Sequence, residues 1–137
     1  ATQVQADKRK STFTANIATA YPAEAEVESW IRSYSLQKGQ LRISDSFRLT
    51  TAKQPNQINF MTWGQVNTEI PGKIQLEVKG KKAVIEYDKQ LFDVKTETIP
   101  LTDPRLSNVW GKSIYRITLT ATNIYKTGNY SFIIKKQ

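Results

Sequence analysis

The sequence predicts an all-β protein, an antiparallel β-sandwich of about nine or ten strands. Apolar residues recur at every second position, which is the period of a strand with one buried and one solvated face. Turn residues separate these runs at intervals of about eight to twelve residues, as in sandwiches. The 137 residues are enough for one hydrophobic core, so we expect a single domain over residues 1–137.

The amino-terminal half contains four predicted strands, at residues 13–17, 30–36, 41–49 and 58–63. The second and third flank Lys38-Gly39, a hairpin signal. Between the first two, residues 22–27 form a possible helical turn, with Pro22 near its start and Glu24 in its first turn.

The carboxy-terminal half has its clearest hairpin at residues 74–78 and 83–87, two runs of matching length around a glycine-containing turn at residues 79–82. Further strands are predicted at residues 91–94, 114–120 and 130–134, and a polar stretch punctuated by Pro100 and Pro104 follows the first of them. The period of two places the following residues in one core between two sheets: Leu41, Ile43, Phe47, Ile74, Leu76, Ile85, Ile117 and Phe132. Trp30 and Trp63 lie in apolar strands and are also assigned to the core.

The chain has no histidine and no cysteine. That composition excludes Ser-His and Cys-His nucleophile pairs, an imidazole base and an ordinary zinc site, so we expect a binding or accessory domain with no catalytic residues. The net charge is +8, with 20 Lys and Arg against 12 Asp and Glu, which favours a polyanionic partner. The basic residues are mostly Lys, whereas specific nucleic-acid recognition favours the planar fork of Arg.

Several acidic residues have both a structural and a chemical interpretation. Glu24, Glu26 and Glu28 could supply paired carboxylates for glycoside hydrolysis, but a solvated loop is favoured. Asp45 occupies an apolar-face position, where a buried carboxylate needs a partner such as Arg32 or Arg48.

Two further groups of charged residues leave a binding role open. Asp88, Asp93 and Asp103 could offer oxygen ligands to Ca²⁺, but their spacing matches no standard loop, so we predict no metal and no cofactor. Arg32, Arg42 and Arg48 lie on adjacent strands and either line a patch for sulfate or carboxylate groups or pair with acidic neighbours.

The best glycan-binding candidate is Trp110, in the predicted loop PRLSNVWGKS together with Arg105, Asn108 and Lys112. An indole face binds the apolar face of a pyranose, although a Trp that plugs the end of the sandwich is an equal alternative. The densest basic groups are Lys79, Lys81 and Lys82 in one hairpin and Lys135 and Lys136 near the end. Such lysines also occur simply to solvate strand edges.

The segment FTANIATAYPAEAEVESWIRSYSLQKGQLRISDSFRL resembles a characteristic segment of heparinase II/III-like polysaccharide lyases. The matching features are the AYP sequence, the EAxVxSWxR motif, a basic-Gly turn and a strand that ends in an acidic and an aromatic residue. They correspond here to residues 20–22, 24–32, Lys38-Gly39, and Asp45 with Phe47. INFMTWG and the following GKIQL extend the resemblance more weakly. Glu26 stands where the family often has Gly, and Ser46 where a second acidic residue is common.

The resemblance implies that residues 1–137 are the carboxy-terminal β-sandwich fragment of a larger lyase whose catalytic α/α toroid is absent here. Such lyases act on uronic-acid-containing polysaccharides by β-elimination and are periplasmic or secreted. The family's catalytic Tyr, His and Asn or Arg precede the matched segment, so none is carried over. The implied role is to support the toroid and to contact an anionic polysaccharide such as a glycosaminoglycan.

The alternative is a freestanding carbohydrate-binding or surface-adhesion sandwich. A nucleic-acid partner is not expected, because the basic strands lack the clustered aromatic pairs of single-strand binders. A membrane partner is not expected either, because no apolar run approaches the roughly 20 residues of a membrane span. The polar start ATQVQADKRKS also lacks the apolar centre of a signal peptide.

Overall fold

The computed structural model describes residues 2–137 and shows an all-β sandwich of two antiparallel sheets, as the sequence predicts. An eight-stranded sheet has the order β1-β2-β3-β4-β11-β8-β7-β6, and a three-stranded sheet has the order β5-β10-β9. The strands are β1 Thr2–Ala6, β2 Lys10–Asn16, β3 Val27–Gln37, β4 Gln40–Leu49, β5 Gln57–Thr62, β6 Gln65–Asn67, β7 Lys73–Val78, β8 Lys81–Glu86, β9 Phe92–Pro100, β10 Ser113–Ala121 and β11 Thr127–Lys136.

Two of the eleven strands in residues 2–137, β1 and β6, have no counterpart among the predicted strands. Every residue of β1 is exposed, and β6 has only three residues. Their sequences carry no clear alternation, because β1 buries no side chain and β6 packs only Val66 against the core. Backbone pairing to β2 and β7 is the main contact that holds them in the sheet. Strand β9 is longer than the predicted residues 91–94, because β10 pairs with its polar second half through Pro100.

The predicted loop around Trp110 is wrong in part, because Pro104–Trp110 forms helix α1. Asp103 is its N-cap and accepts a hydrogen bond from the backbone N–H of Arg105, and Pro104 occupies the first turn. Both are helix start signals, and Leu106 and Trp110 are one turn apart. The predicted helical turn at residues 22–27 contains a 3₁₀ turn at Ala23–Ala25, preceded by another at Ala18–Ala20.

The predicted core is confirmed. Ile43, Phe47, Ile74, Ile85, Ile117 and Phe132 are buried in one cluster, and Leu41 and Leu76 pack against it half-buried. Burial of one such side chain stabilises the fold by about 1.5–3 kcal/mol. Aromatic contacts join the two sheets: Phe60 of β5 meets Phe132 of β11 edge to face at 5.5 Å between ring centroids.

Trp30 lies at the centre of the aromatic packing, 4 % exposed and stacked on Phe47 with ring centroids 5.0 Å apart. Phe47 lies against β11 at Gly128, where an added Cβ would come within 3.0 Å of the Phe47 ring. Gly128 therefore lets the ring lie flat over the neighbouring strand. The assignment of Trp30 to the core is confirmed, whereas the assignment of Trp63 is wrong, because Trp63 is 37 % exposed.

Asp45 is buried and pairs with Arg32, as the sequence suggested. Arg32 donates from Nε to Oδ1 and from Nη2 to Oδ2, both at 2.7 Å, which is the bidentate geometry that matches guanidinium to carboxylate. The hydrogen bonds to Asp45 raise the pKa of Arg32 above its ordinary value, against the opposing effect of burial. The two residues face each other across β3 and β4.

We predict that Asp45→Ala destabilises the fold by about 3 kcal/mol, because it leaves the half-buried Arg32 without its counterion. The double variant Arg32→Met, Asp45→Leu removes both charges and should lie within about 1 kcal/mol of the wild-type chain. Urea unfolding followed by tryptophan fluorescence measures both. Equal losses in the single and double variants would show that the ion pair itself, and not the unpaired charge, determines the cost.

Candidate functional site

The eight-stranded sheet has strongly different charge at its two ends. The β1–β2, β3–β4 and β7–β8 hairpins turn at the same end, where β11 also finishes. We call this the basic end, and its cationic residues are Lys8, Arg9, Lys10, Lys38, Lys79, Lys81, Lys82, Lys135 and Lys136. Adjacent strands lie about 4.8 Å apart, so the row from Lys10 on β2 to Lys81 on β8 spans about 19 Å.

Few acidic residues accompany these cations. Asp7 caps its own turn by accepting from the backbone N–H groups of Arg9 and Lys10, and these bonds lower its pKa. Lys82 lies 3.8 Å from Glu77, and Lys135 lies 2.7 Å from Glu86. The basic end therefore keeps a clear excess of positive charge.

The β3–β4 and β7–β8 hairpins both turn through a Lys-Gly pair with positive φ at each residue: Lys38 (50°) and Gly39 (72°), Lys79 (49°) and Gly80 (75°). Positive φ at both central residues is the type I′ geometry, whose twist matches that of the flanking strands. Because the Lys residues occupy the tips of these tight turns, their side chains leave the backbone at the very end of the sheet.

An indole pair flanks the basic end on the outside of the three-stranded sheet. Trp63, just after β5, meets Trp110 at the end of α1 edge to face, with centroids 6.1 Å apart and planes at 79°. Nζ of Lys79 lies 5.2 Å from the centroid of Trp63, within cation–π range. Two of the predicted site groups, the β7–β8 hairpin and Trp110, are thus brought together through Trp63.

Gly64 explains why Trp63 lies beside the hairpin. An added Cβ at this glycine would come within 2.4 Å of Val78 Cγ2 and 2.5 Å of the Glu77 carbonyl oxygen. Only glycine permits the chain to pass so close to β7, and this approach places Trp63 under Lys79. The alternation of β5 also points to an outward Trp63, because it shares the parity of exposed Met61 and not that of Ile58 and Phe60.

The indole pair borders a small apolar cavity of about 280 Å³. Its walls are Met61, Thr62, Trp63, Leu101, Leu106, Trp110 and Ile114. Thr62 also lines a shallow apolar groove of about 560 Å³ in the basic end, together with Lys81 and Lys82. Cationic side chains and exposed aromatic faces therefore lie next to each other at this end of the sandwich.

The other predicted glycan-binding residues lie apart from this cavity. Arg105 is exposed and holds Asp103 in a salt bridge at 2.8 Å, which raises the pKa of Arg105 and lowers that of Asp103. Asn108 lies on α1 about 160° around the helix axis from Trp110. Lys112 is exposed and lies between Gly111, which ends α1, and Ser113, the first residue of β10.

Arg32, Arg42 and Arg48, the three arginines predicted as a possible patch, do not lie on the same face of the sheet. Arg32 points into the sandwich beside Asp45, while Arg42 and Arg48 occupy exposed positions of β4 with the opposite parity. Arg42 donates to the Ser131 hydroxyl at 3.1 Å, and Arg48 lies 4.0 Å from Glu28. The patch hypothesis therefore fails for this trio.

Candidate metal ligands are dispersed. Asp88 accepts from the Gln90 backbone, Asp93 lies on β9, and Asp103 caps α1. Within residues 2–137, no three side chains of His, Cys, Asp or Glu come together as a potential metal site. Over the same residues, no helix combines the length and the apolar composition that crossing a membrane would require.

The residues 20–32 and 45–47, on which the family resemblance depends, form one connected substructure. Tyr21 packs on Trp30 at 6.1 Å and Trp30 on Phe47 at 5.0 Å, beside the Arg32–Asp45 pair. Glu26 has φ 53° and ψ 36°, the left-handed conformation, and its carboxylate accepts from the Thr51 hydroxyl and lies 3.3 Å from Lys53 Nζ.

No family model and no curated protein sequence matches the chain.

We predict that Glu26→Gly gives a protein about 1 kcal/mol more stable than Glu26→Ala. Both variants lose the contacts to Thr51 and Lys53, but only Ala retains the Cβ that makes a left-handed residue unfavourable. Glu24, in the preceding 3₁₀ turn, is the matched control, and there Ala should be the more stable replacement. Thermal unfolding of the four variants measures the order, and the same order at both positions would contradict the assigned conformation of Glu26.

Proposed function

We propose that this chain is the non-catalytic β-sandwich domain of a heparinase II/III-like polysaccharide lyase, which supports a catalytic α/α toroid and contacts an anionic, uronic-acid-containing glycan. The observation that carries the glycan contact is the Lys79–Trp63–Trp110 cluster beside the basic end. Long-range attraction to the cationic row raises the rate of encounter with a polyanion. The exposed indoles then supply the contact with sugar rings.

The family part of the proposal is supported by Glu26. The family often has Gly at this position, and the left-handed φ of Glu26 is a conformation that glycine adopts at no steric cost. The chain therefore differs from the family at a position where its backbone conformation would suit the glycine that the family often has. Tyr21 packs on Trp30, and Trp30 packs on Phe47. The aromatic residues that carry the resemblance therefore belong to one packed cluster, which is a structural reason for them to occur together.

A freestanding carbohydrate-binding or adhesion domain is the second candidate, and it is favoured by the exposed Trp63 and Trp110, 37 % and 47 % accessible. The residues encoded before Ala1 distinguish the two. A toroid there supports the lyase, in which case the location is periplasmic or secreted, whereas an unrelated neighbour supports the freestanding domain.

We predict that the pure chain does not cleave heparin, heparan sulfate, chondroitin or alginate. β-Elimination needs a positioned base and an acid for the leaving oxygen, and without His or Cys only Tyr and Lys are left to act near neutral pH. The measurement is absorbance of the unsaturated uronate product, with an active lyase as positive control. Sustained product formation by the pure chain would contradict the proposal.

We predict that the chain binds heparin-like chains weakly, with an affinity that falls steeply from low to physiological salt. Trp110→Ala should weaken binding by about 1 kcal/mol, because a stacked indole face is lost. Val109→Ala is the matched control, since Val109 is exposed on the same helix but offers no ring. Unchanged binding by Trp110→Ala would exclude stacking on that indole.

The charge contribution is tested with Lys81→Ala, which should reduce the salt dependence and the rate of association. Lys126→Ala makes the same change of charge at the opposite end of the sandwich, where the exposed Lys126 lies beside the end of β4, and should leave both nearly unchanged. Lys82→Ala should have a smaller effect than Lys81→Ala, because Lys82 is already paired with Glu77. Equal effects of Lys126→Ala and Lys81→Ala would show that only the net charge matters, and not the basic end.

A further inference from the structure

The face of the eight-stranded sheet that packs on the three-stranded sheet continues at the basic end as the shallow apolar groove of about 560 Å³, which we call the basic-end groove. Among residues 2–137, Thr62 at the end of β5 is the one residue of the three-stranded sheet that lines it. The three-stranded sheet therefore borders the groove without covering it. The floor is apolar and comes from five adjacent strands: Leu36, Leu41, Leu76, Val78, Ala83 and Ile134.

The groove floor belongs to the core face of its strands. Leu36 has the parity of Trp30 on β3, and Ile134 has that of Phe132 on β11, so the apolar alternation continues beyond the part of the face that the second sheet covers. Ile134 is still half-buried against the core, whereas Leu36 is 51 % exposed. Single exposed apolar residues are ordinary, but a contiguous apolar surface on a sheet face is where another element packs. The groove therefore suits a partner that has an apolar face.

Cations border the apolar floor. Lys81 and Lys136 have the core-face parity of their strands, and both line the groove. Within residues 2–137 neither of them is in a salt bridge, and no lining residue of the groove is acidic. Lys82 and Lys135 also border the groove, but they have the opposite parity and each pairs with a glutamate. The partner that complements this rim therefore carries acidic side chains beside its apolar face.

The length and depth of the groove favour a helix as the partner element. The floor crosses β3, β4, β11, β8 and β7, and four spacings of about 4.8 Å give a length of about 19 Å. At 1.5 Å per residue, a helix of about 13 residues spans this length. Small ligands normally bury most of their surface in a concave site, which a shallow groove does not provide. A second copy of this chain is disfavoured, because a two-fold contact at the basic end would bring like charges together.

We propose that the basic-end groove docks an amphipathic, acidic helix of a polypeptide partner, whose apolar stripe covers the floor and whose carboxylates face Lys81 and Lys136. The inference goes beyond the proposed function, because it assigns a polypeptide ligand to a surface that a glycan would leave uncovered. It also stands without the lyase assignment, since it uses only the apolar floor, the cationic rim and the length of the groove.

The test uses a lactam-bridged helical peptide of about 13 residues, with leucine at the i, i+3, i+4 and i+7 positions of one face and glutamate beside them. Its controls are a scrambled peptide of the same composition and bridge, and the same helix with lysine in place of glutamate. Fluorescence anisotropy of the labelled peptides measures affinity, and methyl nuclear magnetic resonance of the ¹³C-labelled chain locates the contact. We expect the acidic helix to bind about tenfold more tightly than either control and to shift the methyl signals of Leu36, Leu41 and Leu76 in a saturable way.

Two variants test the two kinds of contact. Leu36→Gln should weaken binding of the acidic helix about fivefold, because an apolar contact is lost, whereas Leu106→Gln, 48 % exposed on α1 and outside the groove, is the matched control and should bind as the wild type does. Lys136→Gln should weaken binding about threefold at low salt and less at high salt. Lys126→Gln makes the same change of charge at the opposite end and should leave the affinity unchanged. Leu36 and Lys136 are exposed, so these variants should fold.

Four outcomes would overturn the proposal. They are equal affinities of the acidic and scrambled peptides, unchanged binding by Leu36→Gln, saturation of the same methyl signals by laurate but not by the acidic helix, and concentration-dependent shifts of those signals without any peptide. The third would assign the groove to an acyl chain, and the fourth to a second copy of this chain.

Heparin separates this inference from the proposed function. Trp110→Ala should weaken heparin binding and leave the affinity for the acidic helix unchanged, whereas Leu36→Gln should do the reverse. A chain that binds the helix but not heparin would retain the docking groove and reject the glycan contact. A chain that binds heparin but not the helix would reject the docking groove alone.

Discussion

The packing of Trp30 on Phe47 is the contact on which the rest of the fold depends. It joins β3 to β4, and Phe47 in turn meets Tyr130 of β11 at 4.8 Å. Tyr130 contacts Phe92 at the start of β9, so a continuous aromatic path runs from one sheet to the other. Burial raises the pKa of Tyr130, although the amide of Asn56, which donates to the hydroxyl at 3.0 Å, partly opposes this effect. The price of this packing is an indole N–H buried without a partner.

The separation of charge follows directly from strand order. In the sequence, the lysines near residues 8–10, 38, 79–82 and 135–136 are far apart and look like ordinary solvating residues. Antiparallel pairing places three hairpin tips and the end of β11 in one row. Because each tip is a tight turn and not a long loop, the cations are held at spacings set by the sheet. The strand order, and not the composition, therefore concentrates the positive charge at one end of the sandwich.

The sequence predicted the features that depend on alternation and failed where backbone or tertiary contacts decided the outcome. The core residues Ile117 and Phe132 and the ion pair of Asp45 follow from parity along their strands. Helix α1 does not follow from the sequence pattern, because its start signals, Asp103 and Pro104, are equally typical of turns and loops. The pairing of Trp63 with Trp110 could not be derived at all, because it depends on Gly64 allowing the chain to pass close to β7. Parity alone, however, distinguishes Trp63 from inward Ile58 and Phe60.

The lysine row and the indole pair depend on different parts of the fold. The lysines near the β3–β4 and β7–β8 turns keep their spacing because strand pairing fixes where the hairpins turn. Trp63 and Trp110 instead depend on two local features, the close approach of the chain to β7 at Gly64 and the end of the short helix α1. A side chain at position 64 would therefore displace Trp63 from Lys79 and leave the lysine row in place.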